Sequence, residues 1–160
     1  MRVWKRSFQK KTMSKRYRFW LWTAVVLLFL TALIHTSSFF VPPPAPQNDS
    51  ERQLLDLLTN YKQDFGAGFQ RTMKDIFAAL SACFSLVCFL GGLTLCYLAR
   101  KRPELGILRG IVGIHAVVFA ICFGVMAAFT FLPPIVLTGL IFLSLLITYL
   151  LIPRHQDAST

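Results

Sequence analysis

Four long apolar runs constrain this chain more than any other feature. They cover 19–41, 76–99, 107–132 and 135–152, and the only Asp, Glu, Lys, Arg or His inside them are His35, Arg109 and His115. A bilayer core about 30 Å thick is crossed by about 20 helical residues, within a range of about 17–25. In lipid each backbone must satisfy its own hydrogen bonds, so such runs are helices and not open strands. The alternation of an outer-membrane barrel is absent, which closes that route. A soluble domain is excluded by composition: 15% of residues are charged and 55% are apolar, against about 25% charged in soluble domains. The same apolar content excludes a disordered chain.

The expected fold is an all-α integral membrane protein, a four-transmembrane-helix bundle with an extracytoplasmic amphipathic helix. Charge orients it. Residues 1–18 carry eight Lys and Arg and no acid, and the 99–106 connection adds Arg100, Lys101 and Arg102 against Glu104. Basic flanks stay in the cytoplasm, so 1–18 is a basic cytoplasmic tail, 19–152 the membrane domain and 153–160 a second cytoplasmic tail. The 42–75 loop, with four basic residues against five acidic ones, lies outside. Pro133-Pro134 is expected to make a tight outer turn. Trp4, Phe8 and Tyr17 among the cations suit an anionic membrane surface better than nucleic acid. A cleaved signal peptide ending near Thr36 and Ser38 is disfavoured by the long basic region and by Phe39-Phe40 after the cut.

The outer loop is the longest extramembrane segment between spans. Pro42-Pro43-Pro44-Ala45-Pro46 predicts a stiff, polyproline-like exit from the first span. Ser50 and Gln53 have the spacing of a capping box, and Leu54, Leu58, Tyr61 and Phe65 recur on one helical face. The spacing therefore predicts an amphipathic helix over 51–64, ended by Gly66 and Gly68. Arg71 and Asp75 stand four apart and would face each other on a helix. Asp64 could join them across the glycine turn, with His35 near the outer end of span one. This polar cluster reads as a structural clamp between loop and bundle, the alternative being a ligand site at the outer mouth.

The order Ile34-His35-Thr36, then Asp64-Phe65-x-x-Gly68, then Arg71-Thr72-x-x-Asp75-x-Phe77 resembles an uncharacterised family of small bacterial four-helix membrane proteins. The layout corresponds over about 35–150, with the specific residues confined to 34–77. The resemblance implies a bacterial inner-membrane protein and a four-helix bundle, and no activity. The chain departs from that pattern in its longer basic tail and its proline-rich loop.

Inside the spans, His115 is the intramembrane ionisable residue of most interest, since such groups are candidates for function by default. The plainer reading is a neutral ring bonded to a helix carbonyl, because one residue is not a relay. Haem ligation is disfavoured because His35 lies towards the outer side and His115 towards the inner, and His155 belongs to the solvated tail. Cys83, Cys88, Cys96 and Cys122 have no zinc or dithiol spacing and read as small buried hydrophobes. Ala116, Ala120, Gly124 and Ala128 form a small-residue stripe for helix packing, within the bundle or between copies. No Walker loop, His-Glu-x-x-His, Gly-x-Ser-x-Gly or intramembrane acidic pair occurs. No metal, cofactor or nucleic acid is expected. The partners expected are membrane lipids, with a second copy or a larger membrane complex as a further candidate. The sequence is read as a non-enzymatic accessory or lipid- or partner-binding protein. The alternative is a small oligomeric transporter or channel using His115 and the Arg71/Asp75 cluster.

Overall fold

A computed structural model describes residues 2–37, 39–42, 44–101 and 103–153, with side chains from residue 16 onward. The contacts proposed for the basic tail, and the placement of His155, lie outside what is described. The described residues form five helices and one small hairpin: α1 (Arg2–Ser37), α2 (Asp49–Asn60), β1 (Lys62–Asp64), β2 (Gln70–Thr72), α3 (Met73–Lys101), α4 (Leu105–Phe129) and α5 (Leu132–Leu151). Four helices are long and apolar enough to cross a membrane: Arg16–Ser37 of α1, Met73–Lys101, Leu105–Phe129 and Leu132–Leu151. The fold comprises two compact units, Met1–Thr31 with Cys88–Thr160, and Ala32–Val87.

In the first unit each helix buries one stripe of residues at helical spacing. On α1 it is Leu21, Ala24, Val25 and Leu28; on α3, Cys88, Leu95, Leu98 and Ala99; on α4, Leu108, Val112, Ala116 and Phe119; on α5, Thr138, Ile141, Leu145 and Thr148. That spacing keeps one seam facing the neighbours, as in left-handed helical bundles. The core also carries hydroxyls, each bonded within its own helix. Thr31 donates to Leu27 O, Thr138 to Pro134 O and Thr148 to Ser144 O, at 2.7–2.8 Å. The opposite faces are apolar too: Phe19, Leu90, Ile114, Val117, Ile121 and Leu150 are each more than 60% exposed.

The small-residue stripe leaves this seam part-way along α4. Ala116 is buried, Ala120 is half-buried, and Gly124 and Ala128 are exposed. A strict repeat of four drifts about 40° around the helix per step, because the helix turns every 3.6 residues. Three steps carry Ala128 about 120° away from Ala116. The close approach of α4 and α5 is made elsewhere. A Cβ on Gly113 would stand 3.1 Å from the Tyr149 ring, and one on Gly139 would stand 3.1 Å from the Phe123 ring. Each helix thus gives up a side chain where the other lays a ring.

Several boundaries differ from the sequence expectation. The first helix ends at Ser37 although the apolar run continues to Val41. Thr36 and Ser37 turn their hydroxyls back onto Ala32 O and Ile34 O, and Phe39 and Phe40 donate to Thr36 O and Ser37 O in tight turns. Such hydroxyls compete for the last carbonyls, and Pro42 restricts the residue before it. Pro133-Pro134 is not the connection between the last two helices but lies inside the first turn of α5. Proline suits that position because the first amides have no helical partner. The turn itself is made by Thr130 and Phe131.

Candidate functional site

The second unit contains the end of α1, the connection through α2 and the hairpin, and the start of α3. It holds all four members of the expected polar cluster. Its local structure departs from a helix over 51–64. Asn48, not Ser50, caps α2: its Oδ1 accepts from Glu51 N at 2.8 Å, and the Glu51 carboxylate accepts from Gln47 N and Asn48 Nδ2 at 2.7 and 3.1 Å. This is a variant of the reciprocal capping arrangement, in which the carboxylate reaches Gln47 N and the Asn48 side chain and not the Asn48 backbone amide, set two residues earlier than the Ser50–Gln53 spacing suggests. Glu51 wins over Gln53 because a carboxylate also complements the helix N-terminus. The helix stops at Asn60, whose amide donates to Asp56 Oδ1 at 2.6 Å.

Beyond it the chain pairs as an antiparallel hairpin, with Lys62 opposite Thr72, Gln63 opposite Arg71 and Asp64 opposite Gln70. The turn Gly66-Ala67-Gly68 runs through three positive φ values, +85°, +51° and +81°. Glycine adopts these without cost; alanine does not. Asp64 Oδ1 accepts from Gly66 N at 2.8 Å, and Phe65 N donates to Phe69 O at 3.0 Å. Phe65 therefore belongs to the hairpin tip and not to the apolar face of α2.

The hairpin delivers the chain directly into α3. Thr72 closes β2 and caps the helix, its Oγ1 accepting from Asp75 N at 3.2 Å while Asp75 Oδ2 accepts from Thr72 N at 3.1 Å. Asp75 is thus engaged by the residue three before it and not by Arg71 four before it. Arg71 lies on a strand, outside the helix, so the i, i+4 geometry does not exist. No ion pair joins Asp64, Arg71 or Asp75 among the described residues. His35 lies elsewhere in this unit: Nδ1 shares a hydrogen bond of 3.2 Å with Ser81 Oγ, and its ring meets Phe84 edge-on at 4.9 Å. The unit therefore separates the four residues into a turn (Asp64), a strand (Arg71), a helix cap (Asp75) and a packed ring (His35).

What it assembles instead is a groove. It is an open groove of about 760 Å³ lined by Phe39, Phe40, Val41, Pro42, Leu55, Leu58, Thr59, Lys74, Phe77, Ala78 and Ser81. That volume falls in the range of about 300–1,000 Å³ usual for ligand sites. Lys74, Phe77, Ala78 and Ser81 follow at helical spacing, so the first two turns of α3 form one wall. The wall spans about 10 Å from Lys74 to Ser81 at 1.5 Å per residue. Leu55, Leu58 and Thr59 of α2 form another. No residue of α2 is buried. The periodicity of Leu54 and Leu58 predicts one apolar face. Only the chain path after Ser37 brings Phe39–Pro42 against it.

His115 lies in the first unit, half-buried. Its Nδ1 donates to Ile111 O at 2.9 Å. A carbonyl only accepts, so Nδ1 holds a proton. Nε2 and Cδ2 lie beside Gly91, 3.8 and 3.7 Å from where a Cβ there would stand. All four cysteines are free, with Cys83 exposed and Cys88 buried. No group of three or more His, Cys, Asp or Glu capable of holding a metal occurs among the described residues.

Arg109 is a functional residue of the fold that sequence reasoning missed. Its Nη1 donates to Ile152 O at 2.7 Å, and its guanidinium lies 4.3 Å from the centroid of the Tyr149 ring. It thus ties the start of α4 to the C-terminal end of α5, where a cation complements the helix dipole. Its place near a span end reads equally as an orientation charge. No family model, curated protein or solved structure matches this chain.

Proposed function

We propose that the protein is a multi-pass protein of the bacterial inner membrane, without enzymatic activity, that holds a membrane lipid in the groove between α2 and the start of α3. In this reading both termini are cytoplasmic, and α2 and the hairpin lie on the outer face. The observation that carries it is the coincidence of an apolar groove with a wall made by a membrane-length helix. Lipid is the solvent such a groove meets. Only 17–33% of each apolar window is buried within the chain, and apolar surface on that scale is not left to water. Phe39, Phe40, Tyr61, Phe65, Phe69 and Phe77 are exposed in the same unit, in keeping with the aromatic belts of membrane interfaces. The basic flanks at 1–18 and 99–106 support the orientation, and the resemblance of 34–77 to small bacterial membrane proteins supports the compartment.

The test is native mass spectrometry of protein extracted in lipid-retaining polymer discs, with an absorption spectrum alongside. The expected result is one tightly retained lipid per chain and no visible band. A chain that releases all lipid under gentle activation, or that carries a chromophore, refutes the reading. Alkaline phosphatase fused within 42–75 should be active, and fused after residue 153 inactive.

A further inference from the structure

We propose that the groove is selective for an anionic phospholipid, whose headgroup is held by Lys74 and whose acyl chain lies along Phe77 and Ala78 towards Ser81. This rests on the lipid-binding reading above and adds the chemical class. The argument is one of charge complementarity within the groove lining. Three lining side chains have polar termini: Lys74, Thr59 and Ser81. The Thr59 hydroxyl donates to Leu55 O at 2.7 Å, and the Ser81 hydroxyl is engaged by His35. No carboxylate lines the groove among the described residues. The neighbouring Asp75 carboxylate is taken up by Thr72 N, and Lys74 has no ion pair among the described residues. Among the described residues the groove therefore offers apolar walls and one cation without an ion pair, at the first turn of α3.

A polar small molecule finds no second anchor in such a lining. An amphiphile with one anionic head and an apolar chain matches it at both ends. The direction follows from the helix. Lys74 lies at the start of α3, where the apolar run begins, and Ser81 lies about 10 Å further in. Head at Lys74 and chain towards Ser81 is the orientation a bilayer lipid already has. A lysine close to an anionic lipid surface contributes about 1 kcal/mol, which is about a fivefold preference.

The experiment reconstitutes the full chain in nanodiscs of phosphatidylcholine doped with equal small fractions of phosphatidylglycerol and a mass-distinguishable phosphatidylcholine. Retained lipid is then counted by native mass spectrometry. Expected is retention of phosphatidylglycerol about fivefold over the labelled phosphatidylcholine. Lys74→Ala should abolish the preference and Lys74→Arg should keep it. Leu58→Trp fills the groove from α2, where no residue is buried and the fold is spared, and should lose both lipids. Equal retention of the two headgroups, unchanged in Lys74→Ala while Leu58→Trp still loses both, overturns the anionic selectivity but leaves the groove as a lipid site. Full lipid retention in Leu58→Trp overturns the groove itself.

Discussion

Replacing Arg109 by alanine should destabilise the α4–α5 pair by about 2 kcal/mol. Two contributions are lost together. The first is the charged hydrogen bond of 2.7 Å to Ile152 O. Bonds to charged groups contribute about 1.5–3 kcal/mol, and the half-buried setting places this one at about 1.5. The second is the stacking on Tyr149 at 4.3 Å, about 0.5–1 kcal/mol where water still reaches the cation. Arg109→Lys keeps the charge but loses the planar fork that bonds and stacks at once, so about half of the loss should return. Tyr149→Leu removes the stacking together with the ring's packing over Gly113, and a double-mutant cycle of Arg109→Ala with Tyr149→Leu isolates the stacking as a coupling of about 0.5–1 kcal/mol. The assay is equilibrium unfolding in mixed micelles against rising dodecyl sulfate, followed by tryptophan fluorescence. An Arg109→Ala protein within about 0.5 kcal/mol of the parent would refute the capping role. The charge would then serve orientation alone, and Lys and Ala variants would differ in topology and not in unfolding.

Two further perturbations follow from the second unit. Thr72→Ala removes the cap of α3 and should cost about 1 kcal/mol, read as faster amide exchange at Met73–Asp75. Arg71→Ala, which has no ion pair to lose, should leave that exchange unchanged; the reverse pattern would restore the clamp. In the hairpin tip, Gly68→Ala places a Cβ in the left-handed region and should weaken the turn by about 1–2 kcal/mol. Ala67→Gly relieves the same strain and should tighten it. Exchange at the Phe65 and Phe69 amides reports both, and equal effects of the two substitutions would contradict the φ assignment.

The separation between local and long-range information is visible in particular residues. The α2 helix was legible because Leu54 and Leu58 repeat at helical spacing. Its cap was misplaced by two residues because Ser50 and Asn48 both carry suitable side-chain oxygens, and the carboxylate of Glu51 decides between them. Of the hairpin at 62–72 the sequence shows only the turn, through Gly66 and Gly68. Its strands are three residues each, too short to show alternation. Thr72-x-x-Asp75 has the spacing of a capping box and Arg71–Asp75 that of a helical ion pair, and the strand at Arg71 decides for the cap.

By itself the sequence determined the four apolar helices, since about 20 consecutive residues without charge leave the backbone no other way to satisfy its hydrogen bonds in lipid. It also determined the uneven charge on which the proposed orientation rests. Tertiary structure alone decided which side chains meet. Ser81 reaches His35 across 46 positions and Arg109 reaches Ile152 across 43. Hydropathy records what a helix face prefers to touch, and lipid and protein interior are almost equally apolar, so it does not record which face turns inwards. That choice is made by shape: an aromatic ring over Gly113, another over Gly139, and a chain path after Ser37 that folds Phe39–Pro42 against α2 to form the groove.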